Sequence, residues 1–273
     1  MSTKTLYSRI INRLGRDTSA NNEKLVRPGS DDYYLVSYPR SGNTWMRTLI
    51  ANVLYGESGD SIADLQKYVP DLHHKIVESP ALRSTPRIFK SHFSNCYLPP
   101  IGGGGNRYKN VVYIVRDPRD VALSYYRYLA NFRKEETDFS SFLTNWLNGR
   151  IWPCSWREHV DSWTAKRPDL NLNICVLRYE DLLSDTISEL SRVIGFMGVQ
   201  ASHQVIERAV SDASVENLKL KAIKKMPEHE RSEKQVFIGK ASNRQWINSM
   251  NDDHRKSISD YCSRTMAAHH YID

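Results

Sequence analysis

Four groups of residues in this chain are of types and spacings that can handle a polyanion and move a proton. The first is Tyr38-Pro39-Arg40-Ser41-Gly42-Asn43-Thr44-Trp45. An apolar, β-prone run (Tyr33 to Val36) leads into it and a helix-like run (Trp45 to Leu54) leaves it. A strand, a tight turn and a helix in that order form an anion cradle. Gly42 lets the backbone approach a ligand closely. The first helical turn offers free N–H groups at the positive end of the dipole. Thr44 adds a hydroxyl and Arg40 a fixed positive fork. The second group is Arg116-Asp117-Pro118-Arg119-Asp120 with Ser124. Asp117 is a natural N-cap and Pro118 a natural first helical residue, so a basic residue again stands at a strand-to-helix junction. The third is Phe237-Ile238-Gly239-Lys240-Ala241, followed by Trp246. The fourth is Lys90-Ser91-His92, whose histidine titrates near neutrality and suits proton transfer.

These groups need a scaffold. Strands are expected at Tyr33–Val36, Arg87–Phe93, Asn110–Val115 and Asn173–Arg178. Helices are expected at Thr44–Leu54, Pro118–Asn131, Phe139–Leu147, Trp156–Lys166 and Asp185–Gly195. Strand and helix in alternation imply an α/β fold: three layers around a central, mostly parallel sheet. Residues 1–32 read as a polar lead-in and 33–273 as a single domain. The Gly102–Gly105 run lacks the spacing of a dinucleotide fingerprint, and no G-x-x-x-x-G-K-[ST] is present, so an ordinary ATP or GTP site is not indicated.

The composition fits a soluble globular protein: 40% hydrophobic and 25% charged, with no apolar run of membrane-spanning length. The N-terminus lacks the apolar core of a signal peptide, and a cytoplasmic protein is expected. Cys96, Cys154, Cys175 and Cys262 are widely separated, favouring reduced thiols over a disulfide or zinc framework. The net charge of +7 comes from acids and bases mixed along the chain. A pocket for a polyanionic nucleotide accounts for it at least as well as a nucleic-acid stripe.

The first motif resembles the 5′-phosphosulfate loop of sulfotransferases that use 3′-phosphoadenosine 5′-phosphosulfate (PAPS), roughly Y-P-K-S-G-T-T-W. The run V-V-Y-I-V-R-D-P-R-D-V-A-L-S-Y-Y resembles that family's 3′-phosphate motif. Lys90-Ser91-His92 resembles its K-T-H, and F-L-x-x-W through S-W-x-x-H-V-x-x-W (Phe142 to Trp163) its segment near the acceptor pocket. The likeness covers about residues 33 to 250.

The resemblance implies a P-loop-like fold and transfer of a sulfuryl group from PAPS to a hydroxyl or amine of a small-molecule acceptor, without a metal. Neither nucleic acid nor membrane is implied as a partner. His92 takes the general-base role, with Lys90 and Arg40 at the sulfuryl group. Arg40, Ser41, Gly42, Asn43, Thr44 and Trp45 take the phosphosulfate loop, and Arg116 and Ser124 the 3′-phosphate. Phe237, Ile238, Gly239 and Lys240 form a weaker match to F-M-R-K-G; with Gly239 in place of the family's arginine, one phosphate contact is either missing or supplied from elsewhere, Arg244 being a candidate. Trp45, Tyr179 and Ser214 fall at adenine positions. Arg40 departs from the family's lysine and is expected to act by charge. The family's dimer motif is missing, since Ile247, Asn251, Asp252 and Lys256 occupy its positions. His73, His74, His269 and His270 are expected to be solvated. A P-loop-like phosphotransferase and a non-enzymatic nucleotide-binding module remain alternatives, and the acceptor is not legible.

Overall fold

The computed structural model describes residues 28–29, 31–57, 59, 62–83, 85–95, 108–133, 137–165, 172–214, 216–217, 220 and 243–272. Strands β1 (Tyr33–Ser37), β2 (Ile88–Ser91), β3 (Asn110–Val115) and β4 (Asn173–Arg178) pair in parallel in the order β2-β1-β3-β4. Leu35 is in register with Lys90 on one side and Val112 on the other. Strand alternation divides the core in two. Tyr34, Val36, Val111, Tyr113 and Val115 face one layer; Leu35, Val112, Ile114, Cys175 and Leu177 face the other. Burial on both faces is why the central strands read as continuous apolar runs.

The helices are α1 (Asn43–Tyr55), α2 (Leu65–Tyr68), α3 (Pro118–Phe132), α4 (Phe139–Leu147), α5 (Trp156–Thr164), α6 (Tyr179–Ser184), α7 (Thr186–Phe196), α8 (His203–Asp212), α9 (Trp246–Ser249) and α10 (Asp252–Ala268). α3, α4, α5 and α10 cover the Tyr113 face; α1, α6, α7 and α8 cover the Leu35 face. The expected three-layer α/β fold is therefore present. From β1 the chain steps through α1 to β2; from β3 it steps through α3–α5 to β4, in the opposite direction along the sheet. Parallel crossovers are right-handed, so opposite steps put their helices on opposite faces. The two directions part between β1 and β3, and ligand crevices of open α/β sheets form at that point.

β3, β4 and α4 coincide with the expected ranges, whereas β2 is shorter than expected. α2, α6, α8, α9 and α10 were not expected. α10 is polar over most of its length, yet Ile258, Cys262, Thr265 and Met266 form a narrow buried stripe. Its start is marked by Asn251, whose side chain accepts the His254 N–H at 2.9 Å. Cys154, Cys175 and Cys262 are buried free thiols, and Cys96 lies outside the described residues. Among the described residues, no helix is long and apolar enough to cross a membrane.

Candidate active site

The β1–α1 loop carries the first motif. Gly42 caps α1 with φ 94° and gives the helix no side-chain cap, and no acidic residue stands in the first turn. A Cβ on Gly42 would lie 2.5 Å from Cδ2 of Tyr179. Glycine is thus required here twice, by the left-handed backbone and by the tyrosine ring against it. Arg40 also has a positive φ, 73°, which is uncommon for a non-glycine residue. Asn43 donates from Nδ2 to the Leu35 carbonyl (3.4 Å) and to Ser37 Oγ (3.1 Å), pinning the loop to its strand. Ser41 is fully buried, and its Oγ has no hydrogen-bond partner among the described residues. A buried hydroxyl of that kind, beside an uncapped helix start, fits an anion. Thr44 is half-buried in the first turn of α1.

The second motif meets the first. Arg116 donates from Nη1 to the Arg40 carbonyl at 3.1 Å, and Arg40 donates from Nε to Ser124 Oγ at 3.1 Å. The Arg116 guanidinium lies 4.2 Å from the Tyr179 ring centre, and that of Arg40 lies 5.3 Å from the Tyr128 ring centre. Burial, then the charge of Arg116, pushes Arg40 down to about 10, which leaves it cationic at neutral pH. The carboxylates of the motif serve other groups. Asp117 caps α3 by accepting the Arg119 N–H at 2.9 Å and holds the Arg119 guanidinium at 2.7 Å. Asp120 accepts the backbone N–H groups of Arg244 (2.6 Å) and Trp246 (3.2 Å). That bond carries Arg244 to the start of α3, near Arg116.

Trp45 donates from Nε1 to the Ala213 carbonyl at 3.1 Å and meets the edge of Tyr179 at 6.2 Å between ring centres. Trp45, Tyr179 and Ser214 are thereby gathered at one place. Tyr179 is 5% exposed, wedged between Gly42, Arg116 and Trp45, so it is a wall of the site and not an open stacking platform. Phe237, Ile238, Gly239 and Lys240 lie outside the described residues.

The fourth group stands at the end of β2. Nδ1 of His92 is 2.7 Å from the Ser37 carbonyl oxygen. A carbonyl can only accept, so Nδ1 carries the proton and Nε2 of the neutral ring bears a lone pair. Burial, then Lys90 and His73, pushes His92 well below its ordinary value, which keeps the ring neutral. Lys90 is buried and donates from Nζ to Asp71 Oδ2 at 2.7 Å. Burial pushes Lys90 down to about 8, against the pull of Asp71. Lys90 and its ring of charges hold the Asp71 carboxyl well below the usual carboxylate range, although burial acts the other way.

Two histidines correct the sequence reading. His73 is not a solvated surface residue; it packs against His92 and accepts its backbone N–H at 3.0 Å. His269 is half-buried, with Nε2 3.1 Å from Thr164 Oγ1. His159 was not singled out as a site residue. It is fully buried and ties its Nε2 to the His92 carbonyl at 3.1 Å. The signal for it was present, since it stands in the S-W-x-x-H-V segment. His73 gave none, because its contact depends on a loop folding back over β2. Among the described residues, no group of three His, Cys, Asp or Glu side chains is arranged to hold a metal ion. Clefts of about 510 and 330 Å³ lie elsewhere, one between α5 and α10 and one beside α3, α4 and Asn251. Neither is lined by Arg40, Arg116 or His92.

The family model for the sulfotransferase domain matches residues 30–270. The amine sulfotransferase of Oryctolagus cuniculus is 27% identical over 197 residues, which cover 69% of this chain and 63% of that protein. Human sulfotransferase 4A1 is 28% identical over 188 residues, 67% of this chain and 64% of that protein. This chain thus spans slightly under two thirds of the length of each. Among solved structures, mouse sulfotransferase SULT7A1 complexed with PAP superposes with a TM-score of 0.66 at 21% identity, over 88% of this chain and 86% of that one. Retinol dehydratase in a complex with retinol and PAP gives 0.70 at 21% identity, over 96% and 86%. At that identity the two structures speak for the fold. With strand order, motifs and family model in agreement over residues 30–270, this chain belongs to the sulfotransferase domain family.

Proposed function

We propose that this protein is a PAPS-dependent sulfotransferase acting on a hydroxyl or amine of a small-molecule acceptor, with His92 as general base. The observation that carries the reading is the 2.7 Å bond from His92 Nδ1 to the Ser37 carbonyl. It leaves the lone pair on Nε2, at the end of β2 and beside Ser37, the last residue of the strand that feeds the Arg40 loop. PAPS supplies an activated sulfuryl group and leaves as adenosine 3′,5′-bisphosphate. In this reading residues 40–45 hold the phosphosulfate. Arg116 and Ser124, with Lys240, hold the 3′-phosphate, and Arg244 is brought near by Asp120. Trp45, Tyr179 and Ser214 border the base, with Phe237, Ile238 and Gly239 on the third loop.

Arg40 stays charged and stabilises negative charge as it develops. His92 accepts the acceptor's proton at Nε2. Lys90, lowered to about 8, is the side chain suited to giving up a proton to the leaving phosphate. The 33–273 segment acts as one domain, and the buried free thiols support a reducing, cytoplasmic setting.

The test combines binding and chemistry. Adenosine 3′,5′-bisphosphate should raise the melting temperature, whereas ATP and DNA should not. Wild type should sulfurylate members of an acceptor panel read by mass. His92→Ala should keep nucleotide binding and lose roughly a hundredfold or more in turnover. Stabilisation by ATP with no response to the bisphosphate would point to a phosphotransferase instead. Full activity of His92→Ala would remove the general base from the mechanism.

A further inference from the structure

His92 has four groups that can make hydrogen bonds: its backbone N–H, its backbone carbonyl, Nδ1 and Nε2. Three are tied by named partners. Nδ1–H donates to the Ser37 carbonyl at 2.7 Å. The carbonyl accepts from His159 Nε2 at 3.1 Å. The backbone N–H donates to His73 Nε2 at 3.0 Å. The fourth, Nε2, is the one the proposed chemistry uses.

Each clamp is itself held. The Tyr113 hydroxyl stands 2.9 Å from His159 Nδ1, inside the core. Because His159 Nε2 must donate to a carbonyl, its Nδ1 accepts from that hydroxyl. His73 is fixed by Asp71, whose Oδ1 accepts the His73 backbone N–H at 3.0 Å while Oδ2 holds Lys90 at 2.7 Å. The His73 ring is stacked on that of His92 with centres 6.0 Å apart and planes 24° apart. It also lies 4.3 Å from the ring of Phe93 and 5.0 Å from that of Trp152, centre to centre.

We infer that His73 is a positioning residue for His92: by accepting the His92 backbone N–H at Nε2, it sets where the proton-accepting nitrogen of His92 points. The tautomer follows from the bond. Since Nε2 accepts, the proton of neutral His73 resides on Nδ1, and that atom is buried with no hydrogen-bond partner among the described residues. An unpaired buried donor is a cost that a space-filling residue would not carry. A histidine that served only to fill the space between Phe93 and Trp152 is better replaced by an apolar ring. What the histidine alone adds is the acceptor at Nε2. Burial pushes His73 down to about 3, so it remains an acceptor across the neutral range.

This inference rests on the reading of His92 as the base, and its test separates the two. Three variants are compared with wild type: His73→Gln, whose side-chain oxygen reaches about as far as Nε2; His73→Asn, which is too short; and His73→Phe, which keeps the ring and lacks the acceptor. Turnover, acceptor KM and melting temperature are measured with one acceptor that wild type sulfurylates. The ¹⁵N shifts of the His92 ring are recorded in each protein without substrate.

His73→Phe and His73→Asn should lose about ten- to a hundredfold in kcat with KM little changed, as misplacement of a reacting group does. His73→Gln should recover most of it. The ring of His92 should hold its Nδ1–H pattern in wild type and His73→Gln and become mixed in the other two. Wild-type kcat and an unaltered His92 pattern in all three variants would overturn the inference. Should His73→Phe fail to fold, His73→Asn carries the test. If wild type itself sulfurylates no acceptor, the catalytic reading fails, and the ¹⁵N pattern alone still decides whether His73 orients His92.

Discussion

At the ends of β1 and β3 the chain makes the same move in outline: strand, arginine, helix. The two junctions are built in opposite ways. After β3, Asp117 caps α3 and Pro118 begins it, and the Asp117 carboxylate also grips Arg119. That helix start satisfies itself and contributes one side chain, Arg116, to its surroundings. After β1 the cap residue is Gly42 with φ 94°, no side chain caps α1, and Arg40 is held at φ 73°. Among the described residues no side chain caps that helix start, and the buried Ser41 hydroxyl borders it. A closed junction gives stability; an open and strained one gives a place for an anion. The Arg116–Arg40 carbonyl bond ties the two together at the point where the sheet changes direction.

The largest expected effect comes from closing the open junction. Gly42→Ala sets a Cβ in a left-handed conformation and 2.5 Å from the Tyr179 ring. The left-handed term is about 1–2 kcal/mol and the overpacking about 1–3. Together they should appear as lower melting temperature and weakened binding of adenosine 3′,5′-bisphosphate. Adding Tyr179→Ala should relieve the overpacking and leave the backbone term. A Gly42→Ala protein with wild-type melting and affinity would mean that this loop is not the tight cradle described.

Arg116→Ala comes next. It removes the one cation that the closed junction presents. Loss of a charge-assisted contact is worth on the order of 1.5–3 kcal/mol. Calorimetry should find that loss for adenosine 3′,5′-bisphosphate and much less for AMP. Equal losses for both would assign Arg116 to some part of the nucleotide other than the 3′-phosphate.

A smaller effect follows from opening the closed junction. Asp117→Ala deletes the α3 cap, worth about 1 kcal/mol, and frees the Arg119 fork. Denaturant unfolding should register that loss while the affinity for adenosine 3′,5′-bisphosphate is kept. If affinity collapses and stability does not, the division of labour between the junctions is the reverse of the one argued here.

The same contrast explains what could be read from the sequence. Junction chemistry is local: Asp117-Pro118 and Gly42 sit next to the strands they follow, and the apolar runs 110–115 and 173–178 mark β3 and β4 unaided. Contacts made by chain reversal were not legible. His73 reads as half of a polar pair in a charged stretch, and only the folding of the 69–74 segment over β2 brings it to His92. Tyr179 was expected beside the adenine, and nothing in its own segment marked it as the ring that forces glycine at position 42. α10 was missed because its four inward residues are scattered through a polar run, although its Asn251 cap and the two aspartates after it were a usable signal.

The finest test of the open junction is Arg40→Lys, read over pH. Arg40 is cationic at neutral pH and is lowered to about 10 by burial and by Arg116. If it works by charge, a lysine should keep substantial turnover at neutral pH, since it supplies the same charge. A lysine starts from about 10.4, and the same burial and the same neighbour act on it. Both push toward the neutral form, so its pKa should fall below that of the arginine it replaces. The required state is the protonated one. Activity is therefore full below the pKa and lost as pH rises through it, and the alkaline limb of Arg40→Lys should begin at lower pH than that of wild type. Arg40→Met lacks the charge at every pH and should lose most activity, keeping no alkaline limb beyond the one that Lys90 sets in all three proteins, its fold intact by circular dichroism. Superposable alkaline limbs for wild type and Arg40→Lys would show that the charge at position 40 does not govern the rate there. Full turnover in Arg40→Met would go further: the strain at φ 73° would then serve the Arg40 carbonyl, which Arg116 holds, and not the guanidinium.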